Sequence, residues 1–274
     1  MSRKIRSFRA DAVVLKHRDQ GEADRMLTVY SRQRGKLRAL AKGVRKTRSR
    51  KAGHVEPFTK VSLQLATGRN WFVVSQAEAQ ETYNNLRESL ETIGFASYVI
   101  ELVDRFTYEE EENSPIYDLL IQTLKRLNDG DPPSLVIRYF EIRLLDTLGF
   151  RPELKNCVVS GEEIIAQDQY FSASLGGAIA PAHGKTLAGA TPISMAALKY
   201  LRHFQRSSYQ DAARARIPRD TQRELELLMH YYITYLLERG LNTPAFMRRV
   251  SKRVLPDQNR EQITNNKQRT ELEQ

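Results

Sequence analysis

Nine cationic side chains lie between residues 34 and 51: Arg34, Lys36, Arg38, Lys42, Arg45, Lys46, Arg48, Arg50 and Lys51. No carboxylate interrupts them. A strand that merely faces water usually mixes its charges, whereas an unmixed run repels itself unless a polyanion neutralises it. Across residues 35–43 the period-two alternation puts Lys36, Arg38, Leu40 and Lys42 on one face and Leu37, Ala39 and Ala41 on the other. The expected strand is apolar inward and cationic outward, and residues 44–53 continue it as a flexible basic loop. The chemistry on offer is sequence-neutral phosphate binding. Each Lys or Arg seated on a phosphate releases condensed counterions, so affinity falls with salt by a log–log slope of about −0.7 per contact on single strands. Aromatic rings would add stacking at about 1–3 kcal/mol per base. The available rings are Phe8, Tyr30, Phe58, Trp71 and Phe72. Tyr30 and Trp71 are assigned to the interface. Trp71 and Phe72 are adjacent, so in a strand only one of them faces outward.

Patterns for other chemistries are missing. No GxxxxGK[ST] or GxGxxG phosphate loop occurs, nor HExxH, GxSxG or a paired-cysteine redox motif. His17, His54, His183, His203 and His230 are scattered without ligand spacing. The run Glu109–Glu112 reads as a solvated face or loop, because consecutive carboxylates at a helix end diverge and cannot converge on one ion. A single cysteine, Cys157, excludes a disulfide framework and favours a reducing compartment. The longest apolar stretch, Leu227–Leu237, contains His230 and is well short of the ~20 residues that span a bilayer. The N-terminus is basic but lacks the apolar run of a signal peptide. A cytoplasmic, non-enzymatic, polyanion-binding protein is expected.

Charge polarity and hydrophobic period set the elements that must carry the basic run. Residues 1–70 hold 19 basic and 5 acidic side chains, whereas residues 81–150 hold 6 and 14, within a net charge of +10. The acidic middle is expected to stay off nucleic acid. Residues 1–80 contain strand-like segments, Arg25–Tyr30, Val61–Leu65 and Asn70–Val74, with Gly35 and Gly68 at turns. A small antiparallel barrel or sandwich follows.

From residue 83 the period becomes helical. Phe95, Val99, Leu102, Val103 and Phe106 form one stripe, and Ile116, Leu119, Leu120, Leu124 and Leu127 a second. Pro132 and Pro133 open a third helix, which is apolar around most of its circumference and therefore central, with Gly149 as its stop. Residues 151–190 are glycine-rich and read as a loop-rich insertion. Helices resume at 193–205 and 221–239, the latter opened by a Thr221/Glu224 capping box. A short basic helix is expected after Pro244, and residues 256–274 as a polar, disordered tail.

Together the segments resemble the RecO family of bacterial recombination mediators. The N-terminal match is Gly21-Glu-Ala-Asp-Arg25, Leu27-Thr-Val-Tyr30, Gly35-Lys-Leu37, Ala41-Lys-Gly43-Val-Arg45-Lys46, Ser49-Arg50 and Pro57-Phe58. The central match is Leu148-Gly-Phe-Arg-Pro-Glu-Leu154, Cys157-Val-Val-Ser160-Gly161, Tyr170-Phe-Ser172 and Gly176-Gly177. The resemblance implies an α+β multidomain chain: an OB-fold barrel over 1–80, a helical domain over 81–150 and 191–255, and a zinc-finger-like insertion over 151–190. It implies ATP-independent binding of single- and double-stranded DNA and annealing of complementary strands. It also implies partnership with RecR and single-strand-binding protein, and RecA loading in the RecFOR route of gap repair.

One departure matters. Where zinc-bearing members show two CxxC pairs, this chain has Cys157 and Ser160, then Ala180 and His183. Structural zinc wants four ligands, so no zinc is expected. The helix after Pro244, with Phe246, Met247, Arg248, Arg249, Lys252 and Arg253, suits the acidic, apolar-tipped tail of a single-strand-binding protein, although a solvated basic helix has the same composition. Two other classes compete with the DNA mediator: an RNA- or ribosome-binding OB module, and a nuclease built on the carboxylates of residues 101–112.

Overall fold

A computed structural model describes residues 7–237. The helix expected after Pro244, with Phe246, Met247, Arg248, Arg249, Lys252 and Arg253, and the tail from residue 256 lie outside the described residues.

Five strands, β1 (Ser7–Gln20), β2 (Asp24–Ser31), β3 (Gly35–Ala41), β4 (Lys60–Thr67) and β5 (Phe72–Glu81), close a barrel in the order β1-β2-β3-β5-β4. Only β3 and β5 pair in parallel, at Ala39–Phe72 and Leu40–Val73. This is the five-stranded Greek-key order of an OB fold. Closure depends on the length of β1, whose first half pairs with β4 and whose second half pairs with β2, with a bulge between Val14 and Lys16. Inward-facing Ala12, Val14, Leu27, Val29, Leu37, Ala39, Leu63 and Leu65 fill the barrel.

The outer face is not all solvated. Val13, Leu15, Tyr30 and Phe58 project from the barrel into the core of the helical body, so barrel and body share buried apolar surface. The body is built on α1 (Leu90–Phe106), α2 (Ser114–Asn128) and α3 (Pro133–Thr147). Asn113 caps α2 by accepting the Ile116 N–H. Helix α3 is buried on most of its circumference, through Ile137, Phe140, Leu144 and Leu145 among others, and packs against α1, α2, α5 (Met195–Arg206) and α7 (Arg219–Leu236).

The insertion has more regular structure than its glycines suggest. It contains β6 (Gln169–Ser172), β7 (Gly177–Ile179) and the short helix α4 (Pro181–Gly184), and β8 (Thr191–Ile193) completes a three-stranded sheet in the order β7-β6-β8. The Thr221/Glu224 capping box does not form, because α7 begins two residues earlier, at Arg219. Glu224 instead reaches across to α5 and accepts from the Ser194 N–H and Oγ, both at 2.6 Å. Ser194 in turn caps α5 by accepting the Ala197 N–H. A short helix missed by periodicity, α6 (Tyr209–Ala213), joins α5 to α7.

Candidate nucleic-acid interface

The basic run divides into two halves that do different things. In the first half the chain's own carboxylates meet the cations. Lys36 Nζ donates to the Asp104 backbone carbonyl at 2.5 Å and lies 3.5 Å from the Asp104 carboxylate, which Lys16 also contacts. Arg38 Nε is 2.6 Å from Glu109, and Arg34 Nη1 is 3.8 Å from Glu110. The Arg34 guanidinium also lies over the Phe8 ring, 4.4 Å from its centroid. A cavity of about 290 Å³ remains between barrel and body, lined by Lys16, Arg18, Lys36 and Arg38 on one side and by Asp104 and Glu109 on the other. Lys36 is thus 13% exposed and is not an outward cation. It lies on the outer face of β3, but the helical body covers that face.

In the second half most of the cations are unmatched. Among the described residues no ion pair engages Lys42, Lys46, Arg48 or Arg50, all of which are exposed. Two of their neighbours are tied down: Arg45 pairs with Asp19 at 3.3 Å, and Lys51 Nζ donates to the Val74 carbonyl at 3.2 Å. A cavity of about 490 Å³ runs between this loop and β5, lined by Lys46, Arg48, Arg50 and Lys51 with Ser49, Ser75 and Gln76. Cations and hydroxyls around an open groove suit a sugar–phosphate backbone.

The β1–β2 turn positions the loop. Asp24 Oδ1 accepts the Gly43 N–H at 2.7 Å, and the Ala23 carbonyl accepts the Arg45 N–H at 2.9 Å. Next to them Arg25 binds Glu56 at 2.8 Å, and His17 lies 3.2 Å from the same carboxylate. Burial opposes ionisation of Glu56, but the Arg25 and His17 hydrogen bonds outweigh it and hold its pKa below the usual carboxylate range. At the far end of the loop, His54 Nδ1 accepts the Ala79 N–H of β5. The Gly-Glu-Ala-Asp-Arg segment therefore works as a clamp on the root of the basic loop.

Of the aromatic candidates, Trp71 is exposed, at 41%, on the β4–β5 turn. Gly68 makes that turn possible, since a Cβ there would stand 2.2 Å from the Trp71 carbonyl oxygen. Tyr30 is not a stacking platform. It is fully buried, its hydroxyl donates to the Asn113 carbonyl at 3.3 Å, and burial drives its pKa up. Phe58 is buried as well, while Phe8 and Phe72 meet edge to face at 5.2 Å against the barrel core.

Cys157 and His183 are the two donors in the insertion that the sequence offers for zinc. Cys157 is buried and its Sγ accepts the Ala180 N–H at 3.3 Å, while the His183 side chain belongs to an exposed residue of α4. Burial pushes the Cys157 thiol up, but hydrogen bonds from Ser160 and from the Ala180 and Val159 backbones outweigh it, leaving a pKa of about 7. Among the described residues no group of three or more His, Cys, Asp or Glu side chains could hold a metal ion. Two donors do not fit a tetrahedral ion. No helix of the described residues is long and apolar enough to cross a membrane.

Sequence reasoning missed Lys16, Arg18, Asp104 and Glu109 as neighbours of the basic strand. The available signal was the charge complementarity between the basic first segment and the acidic middle one.

Two family profiles cover most of the chain: Recombination protein O N terminal matches residues 3–83, and Recombination protein O C terminal matches residues 87–245. The chain is 39% identical over 242 residues to the DNA repair protein RecO of Roseiflexus sp. (strain RS-1), covering 88% of this chain and 85% of that protein. It is 39% identical over 245 residues to the DNA repair protein RecO of Pelotomaculum thermopropionicum, covering 89% and 95%. For the DNA repair protein RecO of Dehalococcoides mccartyi (strain 195) the identity is 36% over 236 residues, covering 86% and 93%.

Proposed function

Because the chain belongs to the RecO family of DNA repair proteins, we propose that it is a non-enzymatic mediator. It binds single- and double-stranded DNA without sequence preference, anneals complementary strands without ATP, and with RecR helps RecA load at gaps. The observation that carries this reading is the groove lined by the unmatched cations Lys46, Arg48 and Arg50, with the exposed Lys42 just after β3, on a barrel of OB topology. Annealing is downhill, so such a protein need only lower the kinetic barrier. A cationic groove that holds two polyanions close screens their repulsion and raises their local concentration. Trp71, on the turn leading into β5, supplies a ring on which a base can stack.

RecR and the acidic tail of single-strand-binding protein are the protein partners in this reading, with RecA reached indirectly and the cytoplasm as the location. Four of the six carboxylates that a nuclease reading would use are drawn onto cations: Glu101 to Arg105, Asp104 to Lys16 and Lys36, Glu109 to Arg38, and Glu110 to Arg34. The test of the binding surface is fluorescence anisotropy with labelled single-stranded DNA across a salt series. Reversing Lys42, Lys46, Arg48 and Arg50 to Glu is expected to lower affinity at least a hundredfold at low salt and to flatten the salt slope by roughly 2.8, four contacts at about 0.7 each. Equal affinity for wild type and variant would move the binding surface elsewhere.

A further inference from the structure

The segment joining α1 to α2 lies along the barrel. Glu109 forms a parallel bridge with Lys36, and the Glu110 N–H donates to the Lys36 carbonyl at 2.9 Å, so residues 109–110 dock on β3. The approach is close: a Cβ on Gly35 would sit 1.8 Å from the Glu111 carbonyl oxygen, and Gly35 has φ 60°. Glu110 itself takes φ 60°, a left-handed conformation that a non-glycine residue keeps only when its surroundings enforce it. The carboxylates of this strap reach the barrel cations, Glu109 to Arg38 and Glu110 to Arg34. The strap pairs along the edge of β3 that β5 leaves unpaired, and its Glu109 carboxylate reaches the cations of the β2–β3 face, the face on which OB barrels take up nucleic acid.

We propose that the strap Glu109–Glu111 is an internal competitor for polyanion. It keeps the β2–β3 face closed in the free protein and is displaced when a nucleic acid strand extends from the basic loop onto the barrel, adding Arg34 and Arg38 to the phosphate track. This rests on the DNA-binding reading above. Arg38 and Glu109 are both about half exposed, at 55% and 46%. Exposed pairs of that kind hold weakly and are screened by salt, so the strap can yield to a strand of higher charge density. A guanidinium held by its own carboxylate contributes less to counterion release, because it must give up one anion to take another.

Two measurements on the full chain decide the matter. In hydrogen exchange on the wild-type protein, the Glu110 amide is expected to exchange faster when oligo-dT is bound, while amides of the barrel core stay protected. In the salt series, Glu109→Gln/Glu110→Gln is expected to bind oligo-dT more tightly at low salt, with a slope steeper by roughly 1.4, two contacts at about 0.7 each. A Glu110 amide that is unchanged or slower with oligo-dT bound overturns the proposal, as does a variant with the wild-type slope. Failure of the wild-type protein to bind oligo-dT at low salt is a separate result, and it removes the DNA reading along with the strap.

Discussion

The carboxyl of Glu141 is fully buried on α3, with Tyr98 Oη donating to it at 2.5 Å and Arg138 Nη1 at 2.9 Å from its other oxygen. Burial raises its pKa and the two partners only partly restore it, so it moves from an ordinary 4.5 up to about 7. A carboxyl whose pKa rises on folding takes up a proton in the native state. Its contribution is complete below about 4.5 and lost as pH climbs through about 7. Glu141→Gln keeps an acceptor for Tyr98 and cannot ionise. Thermal melts at a series of pH values should show the variant gaining Tm relative to wild type between pH 5 and pH 8. A difference that does not vary with pH would mean that Glu141 stays ionised throughout. At the same scale, arginines of one basic run meet different surroundings: Arg38 is matched by Glu109, whereas Arg48 lines an open groove. The sequence around each is similarly cationic, and only the chain returning from residue 109 distinguishes them.

Among the elements, the small insertion packs its sheet against the helical body. Phe171 of β6 meets Tyr232 of α7 edge to face at 5.3 Å, and the Tyr232 hydroxyl donates to the Phe150 carbonyl. Cys157 accepts the Ala180 N–H, and among the described residues it belongs to no group of three or more candidate ligands. Packing against α7 thus carries the sheet, and we infer that dialysed protein is zinc-free, with a Tm indifferent to chelator. One zinc per chain after dialysis would contradict this. The helices of the body were legible because their stripes are strong: Phe140 and Leu144 lie on the periodic face that packs α3 into the centre. Strand β1 and helix α6 were not legible. The first strand spends its length on two neighbours and carries a bulge that breaks its alternation, and the second is a single turn without a stripe. Tyr30 was misplaced for a related reason. Alternation tells which side of a strand a residue occupies, and cannot tell that another domain covers that side. Glu224 looked like a local cap and serves a different helix, a choice made by tertiary geometry.

For the whole molecule, the polarity of charge is an internal arrangement before it is an external one. The acidic body lies against the basic barrel through Asp104, Glu109 and Glu110, and it leaves Lys42, Lys46, Arg48 and Arg50 unmatched beyond its reach. A net charge of +10 therefore understates the field at the basic loop and overstates it on the strands beside the body. The shared core at Val13, Leu15, Tyr30 and Phe58 joins barrel to body, so the groove stands on a barrel packed against the helices. The most direct measurement is annealing of complementary strands already coated with single-strand-binding protein, without ATP, comparing wild type with the Lys42/Lys46/Arg48/Arg50→Glu variant. Wild type should anneal the coated strands, and the variant should fall to the rate without protein while keeping the circular dichroism of the helical body. Annealing by the variant at the wild-type rate, or none by the wild type, would contradict the account.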